Sequence, residues 1–236
     1  MKTTKEAAMP KKQVIEFNEA NSPITEPVTK FGGQPVWIDE PAWPLSKETG
    51  NQMRFIGQVE LREEYGFTTP AKMAYLFMTE EEDDSFIDGT YEPDGGENAV
   101  VLQPGTSRTP TANKTDGPTL FKMVQVEGKD RLQKQTCEFA VKLVESDDIE
   151  FVTEDERFKM SEEDAEAATG KLDENKIGGS PVFMQGDEFP FEGPCQLLLQ
   201  LDSCSVPFSI NFGDAGVGYA FLNEAGDEAK FLWQCG

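Results

Sequence analysis

The chain has 236 residues, 37% of them hydrophobic and 17 of them Phe, so it can bury a sizeable core as one large domain or two small ones. Its 44 acids against 21 bases give a net charge of −23, which repels nucleic acid and anionic lipid, since both are held by Lys and Arg. Histidine is absent, which excludes a Ser-His-Asp triad, a Cys-His dyad and an HExxH zinc site and leaves carboxylates, Lys, Tyr or Cys for acid/base work.

Residues 1–12 read as a disordered tail. The start, MKTTKEAAMPKKQ, is basic but has no apolar h-region, so no secretory signal is expected. No stretch approaches the roughly 20 apolar residues of a membrane span. A cytoplasmic location follows as an expectation, with Cys137, Cys195, Cys204 and Cys235 as reduced thiols. None forms a CxxC pair, so neither a metal nor a cofactor is expected.

Gln13 to Phe17 alternates as a strand would. Gly32-Gly33 supplies a turn, and Pro35 to Ile38 reads as a short strand entered through proline. Met53 to Leu61 and the nearly continuous apolar run Met73 to Met78 read as buried strands. The acidic run Glu80 to Asp84 opens a Gly- and Asp-rich loop without EF-hand spacing. Ala99 to Gln103 returns as a strand, and Pro104 to Pro118 reads as a long surface loop. Within that loop, Asn113 heads a glycosylation sequon of no consequence without export. Two strands follow, Leu120 to Val126 and Thr136 to Val144, the second placing Phe139, Val141 and Leu143 opposite Glu138 and Lys142. Ser161 caps a short acidic helix with Asp164 three residues on, and Gly170 ends it. Leu197 to Leu201 reads as a strand. Ser209 to Phe212 and Tyr219 to Leu222 read as a β-hairpin around GDAGVG, and Lys230 to Gly236 closes the chain.

Two segments repeat one another without a gap. KFGGQPVWIDEPAWP at Lys30 to Pro44 aligns with KIGGSPVFMQGDEFP at Lys176 to Pro190. Lys, both Gly, the first Pro, Val and the last Pro are identical, while Trp37/Phe183 and Trp43/Phe189 keep aromatic bulk. The strands that follow also correspond, and Gln103 aligns with Gln234. Such a repeat says that one supersecondary unit is used twice.

Several residues carry chemistry that the repeat does not explain by itself. Lys30 and Lys176 beside paired glycine amides fit either an anion nest or a tight turn with close backbone approach. Gln58-Val59-Glu60 and Gln200-Leu201-Asp202 fall at matching places, and residues two apart share a strand face. The buried amides need partners. Glu60 and Asp202 are the candidate catalytic pair, if the repeats bring them together across a groove. Trp43 fits either the core or a pocket wall. GDAGVG is followed by a strand rather than the helix of a phosphate loop, so Asp214 is expected to bond the local backbone. Lys30, Trp43, Gln58, Lys176, Gln200 and Asp214 are thus the candidate ligand-binding residues.

KFGGQPVW, MRFIGQVEL, KIGGSPVF, LLLQLDS and NFGDAGVGYAFL together resemble the YwqG-like family, over roughly residues 23–236. The resemblance implies a bacterial domain of unknown function, built as an internally duplicated, mainly β roll with few helices. It brings no catalytic residues, and it associates some members with toxin and immunity systems.

The expected fold is mainly β, α+β with few short helices, and pseudo-two-fold. Residues 13–236 form a single domain of two repeats, about 23–105 and 171–236, joined by 106–170. The expected function is a non-catalytic binding protein, monomeric or weakly dimeric. It would meet a basic protein partner as an immunity-type inhibitor does, and neither nucleic acid nor membrane. The alternative is a carboxylate-based hydrolase or divalent-metal enzyme using Glu60 and Asp202. Solubility alone also accounts for the charge.

Overall fold

A computed structural model describes residues 9–80, 88–106, 116–129 and 131–236. The acidic run beyond Glu80, the middle of the loop after Gln103 and the Asn113 sequon lie outside the described residues.

Ten strands form one antiparallel sheet. They are β1 (Lys11–Glu19), β2 (Lys30–Gly32), β3 (Arg54–Glu60), β4 (Met73–Met78), β5 (Asn98–Gln103), β8 (Glu138–Asp147), β9 (Lys176–Gly178), β10 (Cys195–Asp202), β11 (Val217–Asn223) and β12 (Ala229–Gln234). Their order is β12-β11-β10-β9-β1-β8-β2-β3-β4-β5. Strands β6 (Phe121–Val124) and β7 (Gln133–Thr136) pair separately. The helical residues are a 3-10 turn at Glu63–Tyr65, α1 (Glu154–Arg157) and α2 (Glu162–Ala167). The fold is therefore mainly β, and no helix among the described residues is long and apolar enough to cross a membrane.

Strand order reads alike from both edges. Strands β1 and β8 occupy the centre, paired from Lys11↔Asp147 to Glu19↔Phe139. On one side β8 pairs with β2, which leads to β3, β4 and β5. On the other β1 pairs with β9, which leads to β10, β11 and β12. The edge strands β5 and β12 curl back towards each other, so the sheet is nearly closed. Lys230 Nζ meets Asp94 at 2.8 Å, and Tyr91 stands edge-on to Trp233, across this seam. Near-closure protects two edges that would otherwise offer open ladders to other chains.

The curl creates one interior shared by both sides. Ile56, Val59, Ala74 and Leu76 meet Leu198, Leu199, Leu201, Ala220 and Leu222 there. Ile15 from β1 and Phe139 from β8 complete it, with Val141 and Leu143 packed against them as the alternation of β8 predicts. Strand β4 is apolar throughout because both its faces are buried. Met73, Tyr75 and Phe77 point away from the shared interior into a second cluster with Trp37 and Phe55. Strand β11 does the same with Val217, Tyr219 and Phe221, which join Leu197 and Phe183 in a third cluster.

Four expectations need correction. Strand β1 begins inside the stretch read as a tail, because Lys11 and Lys12 find Asp147, Asp148 and Glu174 as partners. Pro35 to Ile38 is not a strand; the strand ends at the first glycine, Gly32, and side chains rather than a neighbouring strand satisfy the backbone beyond the turn. Ser209 to Phe212 contributes only an isolated bridge, Phe121↔Ser209, while β11 pairs with β10 and β12. The middle segment is more than a connector, since β8 lies at the sheet centre. The Ser161 cap is observed: its hydroxyl accepts from Asp164 N–H.

Candidate functional site

Both repeat lysines are buried on the sheet face away from the shared interior, since Phe31 and Ile177 beside them face it. Lys30 Nζ donates to Gln34 O at 2.7 Å, Ile24 O at 3.3 Å and Glu138 Oε1 at 2.5 Å. Lys176 Nζ donates to Ser180 O at 2.6 Å and Asp148 Oδ2 at 2.9 Å. The two carboxylates come from opposite ends of β8: Glu138 is its first residue, and Asp148 follows its last. Lys12 also reaches Asp148, at 3.2 Å. Burial holds both repeat lysines below the usual amine range, although Glu138 and Asp148 oppose it. Burial works against the Asp148 carboxylate too, but Lys176, the Ser180 N–H and Lys12 prevail and hold it below the usual carboxylate range.

The paired glycines make room for these carboxylates. A Cβ on Gly33 would lie 2.3 Å from Glu138 Oε1, and one on Gly179 would lie 2.2 Å from Asp148 Oδ2. Both residues also have positive φ, 64° and 76°. In the second repeat an internal carboxylate lies against the glycine turn, where Ser180 N–H donates to Asp148 Oδ2 at 2.9 Å.

Past the glycines the chain is pinned by side chains in two matching clamps. In the first, Gln58 Oε1 accepts from Val36 N–H at 2.8 Å, and Tyr75 Oη donates to Val36 O at 2.8 Å. Gln103 Oε1 accepts from Ile38 and Asp39 N–H, both at 3.0 Å. In the second, Gln200 Oε1 accepts from Val182 N–H at 3.0 Å, and Tyr219 Oη donates to Val182 O at 2.7 Å. Gln234 Oε1 accepts from Met184 and Gln185 N–H at 2.9 and 3.0 Å. Amide nitrogens complete each clamp: Gln58 donates to Val28 O, and Gln200 to Lys171, Leu172 and Glu174 O. Gln58 and Gln200 are fully buried. Buried amides require such partners. Burial pushes the phenols of Tyr75 and Tyr219 well above their ordinary range, so they remain proton donors.

The remaining candidates are also engaged locally, or stand apart. Trp43 Nε1 donates to Met53 O at 2.8 Å, and its ring meets Trp37 and Phe77 edge-on. Asp214 is exposed, and it is Asn211 Oδ1 that accepts from the turn N–H of Gly213. Glu60 Oε1 accepts from Arg62, while Asp202 accepts from Cys204 N–H and Ser205 Oγ. Glu60 ends β3 and Asp202 ends β10. The ladder β3-β2-β8-β1-β9-β10 is antiparallel at every step, so β3 and β10 run in opposite directions. The registers set Gln58 level with Asn18 and Gln200 level with Val14, so the two strand ends converge to one height, five strand steps apart. Val59 and Leu201 face the shared interior, so Glu60 and Asp202 face away from it, and the proposed catalytic pair is not brought together.

Sequence reading missed Glu138, Asp148, Tyr75 and Tyr219. The tyrosines carried a findable signal, because each occupies the third place of a matching strand, Met73 to Met78 or Val217 to Leu222.

One cavity of about 20 Å³, lined by Ile149, Phe151, Gly170 and Val182, has room for a water. A larger open groove of about 360 Å³ lies at α1 and α2. Among the described residues no three His, Cys, Asp or Glu side chains are grouped to hold a metal ion. All four cysteines are free, and burial pushes the Cys137 thiol up to about 11. No curated protein matches the chain. Residues 29–231 match the family described as a domain of unknown function, DUF1963, and the chain belongs to that family.

Proposed function

We propose that this chain is a non-catalytic binding protein whose acidic exterior engages a basic protein partner. The observation that carries this reading is the internal use of the repeat polar groups. Lys30, Lys176, Gln58 and Gln200 bind the chain's own backbone and carboxylates, so none is available to a ligand. The excess of 44 acids over 21 bases then remains as the chain's distinctive chemical property. One concrete form is an immunity-type inhibitor, in which surface carboxylates occupy the basic active site of a toxin.

The resemblance to the YwqG-like family supports a bacterial setting for such a role. The matched clamps support descent from a duplicated half-molecule. In this reading the duplication built the scaffold, and the surface acquired the partner.

Capture from the cytosol of the source cell, at low and at high salt, tests the proposal. A basic partner retained at low salt and released at high salt is the expected result, since screening shortens the reach of exposed charge to a few Å near 1 M. A partner whose capture ignores salt, or no partner at all, contradicts it.

A further inference from the structure

The exposed aromatic Phe158 stands in an acidic stretch of the chain. It is 80% exposed, directly after α1, in the open groove formed with α2. Residues 153–169 carry seven acids against Arg157 and Lys159. Arg157 is turned inwards, where its guanidinium donates to Val152 O and meets Asp187 at 3.3 Å. Glu162, Glu163 and Glu166 of α2 are exposed, and Glu166 lines the groove.

The platform under Phe158 is built. Thr153 and Glu156 form a reciprocal capping box at the start of α1. Glu154 N–H donates to Asp187 Oδ2 at 2.7 Å, fastening α1 to the loop after the second clamp. Phe158 N–H donates to Glu154 O, and the Ser161 hydroxyl caps α2. The ring is thus presented to solvent from a fixed backbone. The first repeat has no helix in the corresponding place before β2.

A central aromatic with a charged rim is the pattern of a binding hot spot. An aromatic face also attracts Lys and Arg directly. We infer that the α1–α2 groove is the docking face for a basic segment of a partner protein, one with a bulky apolar residue flanked by Lys or Arg. The apolar residue packs on Phe158 while its basic neighbours meet Glu162, Glu163 and Glu166. This inference rests on the binding role proposed above and gives it a location.

The test uses a short peptide alternating Leu and Lys, with a Ser/Lys peptide of equal charge as control. Binding of both to the full chain is measured by fluorescence anisotropy at low salt. Phe158→Ala is expected to weaken the Leu/Lys peptide about tenfold and to leave the Ser/Lys peptide within about twofold. Joint Glu162→Gln, Glu163→Gln and Glu166→Gln substitution is expected to weaken both peptides and flatten their salt dependence. An unchanged melting temperature shows that the exposed substitution leaves the fold intact. If Phe158→Ala changes neither peptide, or weakens both equally, the groove is not the docking face although an acidic binding surface stands. If neither peptide binds the wild-type chain at low salt, both proposals fall.

Discussion

Asp148→Ala is expected to lower folding stability by about 3–5 kcal/mol, the usual cost of breaking a buried ion pair from one side. Asp148 is the buried hub of the second repeat. It accepts from Lys176, Lys12 and the Ser180 N–H, and Lys176 has no exposed surface through which to regain water. Without the carboxylate, the Lys176 amine loses the group that opposes its burial and sheds its proton more readily. Urea denaturation should show a lower midpoint with little change in slope. Adding Lys176→Met to Asp148→Ala should restore part of the loss, because no uncompensated charge remains from that pair. Full additivity of the two costs would contradict the pairing. The pH dependence has a definite sign. The Asp148 carboxyl lies below its ordinary range in the folded chain, so its contribution is fully present above the unfolded value of about 3.9. That contribution is lost as pH falls through the folded value. Asp148→Ala should therefore show a shallower loss of stability on acidification than wild type.

Gln200→Leu is expected to cost about 3 kcal/mol or more, because each stranded buried polar group costs about 1–3 kcal/mol. The substitution keeps apolar bulk but abandons Val182 N–H and the carbonyls of Lys171, Leu172 and Glu174 together. Gln58→Leu abandons only Val36 N–H and Val28 O, so its effect should be smaller. Equilibrium unfolding of the two variants checks the ranking. Equal and negligible losses would mean that these glutamines are replaceable filling rather than pins.

The strands were legible where side-chain pattern and ladder coincide. Met73 to Met78 is apolar at every position because both faces are covered, and the strand occupies those same residues. Phe139, Val141 and Leu143 alternate because only one face of β8 meets the shared interior. Pro35 to Ile38 was misread for a physical reason. A short run of apolar residues looks like a strand whether its amides bond another strand or a distant glutamine. The pinning residues Gln58, Tyr75 and Gln103 are far away in sequence, so nothing local distinguishes the two cases. Strand β7 gave no signal because its residues, Gln133 to Thr136, are all exposed and only Thr136 has high strand propensity.

The candidate site was legible as chemistry but not as connection. Gln58 and Gln200 stood out as polar groups needing partners, and Lys30 and Lys176 as cations beside the glycine turns whose partners were unnamed. That Glu138 and Asp148 provide two of those partners depends on β8 lying between the repeats, a topological fact without a local sequence mark. Glu60 and Asp202 fall at matching places in the two segments, yet they stand five strand steps apart and face away from the shared interior. Repeat equivalence and spatial neighbourhood are different properties, and the antiparallel centre of the sheet separates them.

Amide hydrogen exchange decides whether the two clamps hold their segments as firmly as strands. The N–H groups of Val36, Ile38, Asp39, Val182, Met184 and Gln185 bond buried side chains although none lies in a strand. Exchange at these six positions should require free energies close to those of β4 and β11, opening only with the core. Exchange at the rate of an exposed loop would show that the segments are loosely held, and the structural role assigned to both glutamine-tyrosine clamps would be wrong.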